Sequence, residues 1–267
     1  MDTPVNPSPR PLALVTGASS GIGIELARSL ARRGHDLVLT ARRAPPMEAL
    51  ADELRGTGAA VTVIVADLSQ PGSAARLADD LAARGLAIDV LINNAGLGGA
   101  ERFDRQDPMR IGEMLQVNIV ALTELTRLLL PAMVARRSGR IMLVASTAAF
   151  QPGPRMAVYF ASKAYVLSLG EALAYELRNT GVGVTVLCPG ATESAFFIVA
   201  GADKSLIAHK FRKMMPADTV AEIGCTALAS RRRVVVAGVM NRLMTFAARL
   251  VPHRLTLPVT DRLMANE

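Results

Sequence analysis

The chain has 267 residues, 51 % hydrophobic and 20 % charged, with a net charge of +7. That balance excludes a disordered protein and allows a core large enough to hold without disulfides or metal. Aromatic residues make up only 4 % and Trp is absent, so the basic charge lacks the stacking platforms of a nucleic-acid binder and no nucleic-acid partner is expected.

Residues 1–10 are Pro-rich, lack the apolar core of a secretory signal and read as a flexible N-terminus. Cys188 and Cys225 lie far apart, which reads as reduced thiols in a cytoplasmic protein. No uncharged apolar run of about 18 residues occurs, so no spanning helix is expected. His35, His209 and His253 are scattered without ligand spacing, and no metal is expected.

Leu12 to Thr16 is a near-continuous apolar run, the pattern of a strand covered on both faces. It feeds into Thr16-Gly17-Ala18-Ser19-Ser20-Gly21-Ile22-Gly23 and a helical pattern from Ile22 to Arg33. A helix starting there aims free N–H groups and its dipole at the turn, which favours a pyrophosphate. Gly17 allows the tight turn, while Gly21 and Gly23 let backbone approach phosphate and helix approach strand; Ser19, Ser20 and Ile22 complete the candidate cradle. The spacing is Gly-x-x-x-Gly-x-Gly, and by itself the segment could be a glycine turn with no ligand.

The second strand, Asp36 to Ala41, ends in Arg42-Arg43 without the acid that accepts from a ribose 2′-OH. Guanidinium groups there suit a 2′-phosphate, so NADP(H) is expected rather than NAD(H), with Arg42 the principal contact and Arg43 secondary. The alternative is two solvated loop arginines. A helix from Met47 to Arg55 leads to a third strand, Val61 to Ala66, and then Asp67-Leu68. The Asp67 carboxylate could accept from an adenine amino group or cap its own turn. After a helix from Ala74 to Arg84, the fourth strand, Val90 to Asn93, ends in Asn94-Ala95-Gly96. Small and amide residues there let backbone pass close to the adenine ribose while side chains tie strands together.

A helical stretch from Pro108 to Arg136 precedes the fifth strand, Arg140 to Ser146. The next helix, Ala157 to Asn179, carries Tyr159 and Lys163. Four apart, these two face the same way. A phenol is a poor base at neutral pH, and the Lys163 ammonium is expected to lower the Tyr159 pKa and to hold nicotinamide ribose hydroxyls. Ser146, at the end of its strand, can hydrogen-bond a substrate oxygen. A lone Tyr-x-x-x-Lys would read as a surface pair and a lone strand-end Ser as a turn former; together, beyond a carboxyl strand edge, they read as a site that moves a proton at an oxygen while hydride moves at the adjacent carbon. A sixth strand, Gly183 to Cys188, runs into Pro189-Gly190-Ala191-Thr192, and a seventh spans Arg233 to Ala237. Strands alternating with helices predict an α/β, Rossmann-type doubly wound parallel sheet of about seven strands flanked by helices, in a single domain over residues 11–238.

Thr16 to Gly23, Asn93 to Gly96, Asn118, Ser146, Tyr159-x-x-x-Lys163 and Pro189-Gly190 together resemble the short-chain dehydrogenase/reductase family, in order and spacing, from about Leu12 to Gly190. The details are similar to its single-domain, NADP-preferring branch. The resemblance implies NAD(P)-dependent interconversion of alcohols and carbonyls and a homodimer or homotetramer. It implies that Asn118 belongs to a water-linked proton relay through Lys163. It further implies that the backbone of Pro189-Gly190 and the Thr192 side chain hold the nicotinamide carboxamide, with Ser194 standing where the family commonly has Thr. The rival reading is a catalytically idle dinucleotide sensor or partner-binding module on the same fold.

Residues 192–216 form an irregular insertion carrying Phe196, Phe197, Ile198, Leu206, Phe211, Met214 and Met215. They read as a lid over an apolar cleft, joined by Phe150 and Met156, for a moderately apolar carbonyl substrate, or else as plain core. Residues 239–267 form an amphipathic helical extension. Its stripe of Val239, Met240, Leu243, Met244, Phe246, Ala247, Leu250 and Val251, flanked by Arg242 and Arg249 after Arg231-Arg232-Arg233, is expected to pack on its own domain or on a partner subunit, with a membrane surface as the alternative.

Overall fold

The computed structural model describes residues 10–193, 200–201 and 214–265. Seven strands build one sheet: β1 (Leu12–Thr16), β2 (Asp36–Ala41), β3 (Val61–Val65), β4 (Val90–Asn93), β5 (Gly139–Val144), β6 (Val182–Cys188) and β7 (Val234–Val236). Every pairing is parallel, in the order β3-β2-β1-β4-β5-β6-β7. The order reverses between β1 and β4, and the crevice beyond the carboxyl ends of those two strands is where a doubly wound sheet binds its ligand.

The helices are α1 (Ile22–Arg32), α2 (Ala44–Arg55), α3 (Ser73–Ala83), α4 (Pro108–Leu115), α5 (Leu122–Ala135), α6 (Ala157–Glu176), α7 (Ala217–Ala229), α8 (Val239–Leu250) and α9 (His253–Met264). The strands read as unbroken apolar runs because both faces are covered. Ala13 and Val15 of β1 face an apolar layer shared with α1, α2 and α7, while Leu14 faces the opposite layer with α3, α5 and α6. A fully buried leucine such as Leu14 or Leu91 contributes about 1.5–3 kcal/mol by leaving water.

Several boundaries depart from the sequence reading. Helix α2 begins at Ala44 rather than Met47, because Pro45 and Pro46 fall in its first turn, where no backbone donor is needed. Ser146 lies two residues past the end of β5, as the cap of a short 3₁₀ turn, Thr147–Phe150. The helix expected from Pro108 to Arg136 is interrupted by a π-helical segment, Gln116–Ala121, that contains Asn118. By length and composition alone the run Pro108–Ala135 passes for a membrane-crossing helix, as core helices also do, although Glu124 and Arg127 interrupt its apolar stretch. Here its apolar side packs on the sheet through Leu122, Leu125 and Met133.

The C-terminal extension forms two helices, parted by Pro252. Of the two packings expected for the α8 stripe, on its own domain or on a partner subunit, the first is overturned. Thr245 is the only buried residue of α8, whereas Val239, Leu243, Phe246 and Leu250 are 82 %, 61 %, 62 % and 69 % exposed. The inner face is the weakly polar row Asn241, Thr245 and Ala248. Most of the expected lid, including Ser194, Phe196, Phe197, Ile198, Leu206 and Phe211, lies outside the described residues. Its two ends are adjacent: Thr192 and Met215 form a parallel bridge, with Glu193 N donating to Met215 O at 3.1 Å and Met215 N to Ala191 O at 3.2 Å.

Candidate active site

A cavity of about 730 Å³ runs along the carboxyl edge of the sheet, within the size range of cofactor and small-molecule sites. Gly17, Ser19, Ser20, Gly21 and Ile22 line one stretch. Gly17 and Gly21 take φ of +68° and +56°, which side chains rarely adopt. Gly23 faces the turn itself: a Cβ there would lie 2.2 Å from Gly17 O. No side chain caps α1, so its first N–H groups face the crevice. Thr16 locks this turn to the next loop. Its hydroxyl donates to Ile92 O at 3.2 Å and accepts from Asn94 N and Ala95 N at 3.0 and 3.1 Å, while Asn94 Nδ2 donates to Thr16 O at 3.0 Å. Asn94, Ala95 and Gly96 thus line the cavity as rigid backbone.

Arg42, Arg43, Asp67 and Leu68 line the far end. Both arginines are exposed, and neither joins a salt bridge among the described residues. Asp67 Oδ1 accepts from Ser69 N at 3.0 Å and Ser69 Oγ at 2.7 Å, the turn-capping role. Burial pushes the Asp67 carboxyl up, but the Ser69 bonds and the field of Arg42 outweigh it and hold the carboxyl below its ordinary value. The Thr40 hydroxyl, buried at the same end, has no hydrogen-bond partner among the described residues. An uncapped helix start, two uncommitted guanidinium groups and an unpartnered hydroxyl fit a phosphorylated dinucleotide.

At the other end, Tyr159 projects from the first turn of α6, with its phenol beside the Ser146 hydroxyl. Ser146 accepts from Ala148 N at 3.1 Å. Lys163 Nζ donates to Val144 O at 2.9 Å and lies 5.8 Å from the Tyr159 ring centre. Burial pushes the Tyr159 phenol up to about 12, with the Ser146 hydroxyl pulling the other way, and pushes the Lys163 amine down to about 8. The expected lowering of the phenol by Lys163 is therefore not what this geometry produces. Desolvation disfavours the phenolate, and the ammonium is turned to a backbone carbonyl. Asn118 is fully buried. Its Nδ2 donates to Leu97 O at 2.9 Å and Ser162 Oγ at 3.0 Å, and its Oδ1 accepts from Leu97 N at 2.8 Å. These bonds hold the loop after β4. A Cβ on Gly96 would lie 3.3 Å from Lys163 Nζ and 3.5 Å from Asn118 Oδ1, so the glycine lets backbone pass close to both. Pro189, Gly190 and Thr192 line the adjacent wall, with Thr192 Oγ1 donating to Gly190 O at 3.0 Å.

The cavity brings together every expected site residue except two. Gly23 supports the turn from behind, and Asn118 supports the loop from behind. Sequence reasoning missed the wall built by α8 and α9: Asn241, Met244, Thr245, Ala248, Thr260, Leu263 and Met264. Helix α9 is tied down by Arg155 Nε to Asp261 Oδ1 at 2.8 Å and Gln151 Nε2 to Thr260 Oγ1 at 3.3 Å. Met264 packs with Met114, Met156, Tyr159 and Phe160 beside the reacting end. The missed signal was the polar spacing Asn241, Thr245 on the side of the helix away from its apolar stripe.

Residues 11–204 match the family described as short chain dehydrogenase. The oxidoreductase UcpA of Escherichia coli (strain K12) is 38 % identical over 180 residues, covering 67 % of this chain and 68 % of the relative. A short-chain dehydrogenase from Sphingobium yanoikuyae, solved in complex with NADPH, is 34 % identical, with a TM-score of 0.80 over 89 % of this chain and 92 % of that one. A short-chain dehydrogenase/reductase from Burkholderia phymatum, solved in complex with NAD, is 27 % identical, with a TM-score of 0.81 over 89 % and 92 %.

Proposed function

This chain belongs to the short-chain dehydrogenase family and is an NAD(P)-dependent oxidoreductase acting between alcohol and carbonyl; from that premise we propose an NADP(H)-dependent reductase of a moderately apolar ketone or aldehyde, reversible as an alcohol dehydrogenase, with Tyr159 as its general acid and base. The observation that carries this reading is the convergence of Ser146, Tyr159 and Lys163 at one end of a cavity whose other end holds Arg42.

When bound, the nicotinamide supplies or takes up the hydride. The chain's own residues handle the oxygen. Ser146 and Tyr159, side by side on the cavity wall, both face a carbonyl oxygen placed between them. The Tyr159 proton passes to that oxygen as negative charge develops on it, and the reverse reaction returns it. Lys163, bonded to Val144 O and lining the cavity beside Tyr159, holds the nicotinamide ribose hydroxyls and keeps most of its protons at neutral pH. Asn118 acts as a positioning residue, fixing Leu97 and the loop against Lys163. Arg42, with Arg43 behind it, takes the 2′-phosphate by charge-assisted bonds. The apolar wall of Met156, Phe160 and Met264 supports an apolar substrate.

The test is NADPH oxidation by the full chain against a panel of ketones, aldehydes, quinones and 3-oxoacyl thioesters. With the best substrate, Tyr159→Phe is expected to lower kcat at least about 100-fold while NADPH still binds. Turnover within tenfold of the parent would remove Tyr159 from this role.

A further inference from the structure

Helix α8 carries its apolar face on the outside. Val239, Leu243, Phe246 and Leu250 recur at helical spacing on the side opposite buried Thr245, with Met240 and Met244, 65 % and 47 % exposed, beside them. Arg242 borders that face, while Arg249, seven residues on, is exposed but stacks its guanidinium over the Phe150 ring, 4.9 Å from its centre. On α9, Leu255 and Val259 are each 58 % exposed, flanked by Arg254 and Arg262. An outward apolar face with an arginine border is the pattern of a helix lying in a bilayer interface.

We propose that the outer face of α8, with Leu255 and Val259 of α9, docks the protein reversibly on an anionic lipid surface. Charge selects this occupant over a second copy of the chain. Residues 239–267 hold four arginines against two carboxylates, Glu267 and Asp261, the latter already bonded to Arg155. A two-fold contact repeats the same patch on both sides, so it would set these arginines against one another with too few acids to answer them. Anionic headgroups answer them directly. Arg231-Arg232-Arg233 lies at the opposite end of β7 and plays no part. The docking face is continuous with the cavity through Met244, which is exposed and also lines it. Where the proposed carbonyl chemistry holds, an apolar substrate dissolved in the bilayer would enter beside α8. The docking itself stands independently of that chemistry.

Flotation of the full chain with phosphatidylcholine vesicles, with and without about 30 mol% phosphatidylserine, tests this. The parent is expected to float with the anionic vesicles and far less with the neutral ones. In Leu243→Asp/Phe246→Asp, whose positions are outside the cavity wall, the bound fraction should fall at least tenfold while melting and turnover of a water-soluble ketone stay at parent values. Arg242→Glu/Arg254→Glu, which leaves the apolar face intact, should also lose anionic vesicles. No flotation of the parent, or parent-like flotation of either variant, overturns the proposal. So does light scattering in which the aspartate variant converts a lipid-free oligomer to a smaller species, since the face then covers a second copy.

Discussion

Lys163 is the residue at which function and stability oppose each other. Its amine is buried and its value falls from 10.5 to about 8, because the charged form loses its hydration. The folded value lies below the unfolded one, so between about pH 8 and 10.5 the unfolded chain binds more protons and stability rises with pH. Below that window the cost of charging the buried amine is present in full, roughly 3 kcal/mol from the size of the displacement. Loss of its bond to Val144 O would offset about 1 kcal/mol of any gain from removing it. Lys163→Met is therefore expected to melt no lower than the parent at pH 7 and to lose that margin by pH 10; a variant that melts lower at pH 7 would contradict this. At the far end of the cavity, Arg42→Ala is expected to weaken NADPH binding about 10- to 100-fold and leave NADH binding unchanged, as read by fluorescence titration. Equal losses for both coenzymes would place Arg42 elsewhere than the 2′-phosphate.

At the scale of elements, α6 matters because it presents Tyr159 and Lys163 while lying close on β5 and β6. Gly170 permits that approach: a Cβ there would sit 2.2 Å from Val186 Cγ2 and 3.2 Å from Leu143 Cδ1. Gly170→Ala should overpack the contact at about 1–3 kcal/mol, lowering Tm by about 2–10 °C. It should lower kcat as well, because the helix that moves carries the proton donor; unchanged melting and turnover would show that the neighbours give way freely. The strands were legible as continuous apolar runs, since a two-faced sheet leaves little room for polar residues. The π-helical segment was not, because its i→i+5 bonding leaves no mark on apolar periodicity. The buried Asn118 inside it was visible only as a motif match. Its bonds to Leu97 come from a loop 21 residues away in the chain.

For the whole molecule, local pattern was enough to specify the alternation of strands and helices, the glycine turn between β1 and α1, and the Ser146, Tyr159 and Lys163 set. Each of these follows from residues near in sequence and from the short-range geometry of turns, strands and helix faces. Long-range packing decided the rest. It placed α9 against Met114, Met156 and Phe160 as a wall of the cavity. It turned the apolar stripe of α8 to the outside by seating Asn241 and Thr245 inward. It also withdrew Lys163 from the phenol towards Val144 O. A periodic pattern states that a helix has two unlike faces, but which one meets the core depends on the shape and polarity of the surface it lands on, and that surface exists only once the sheet has assembled.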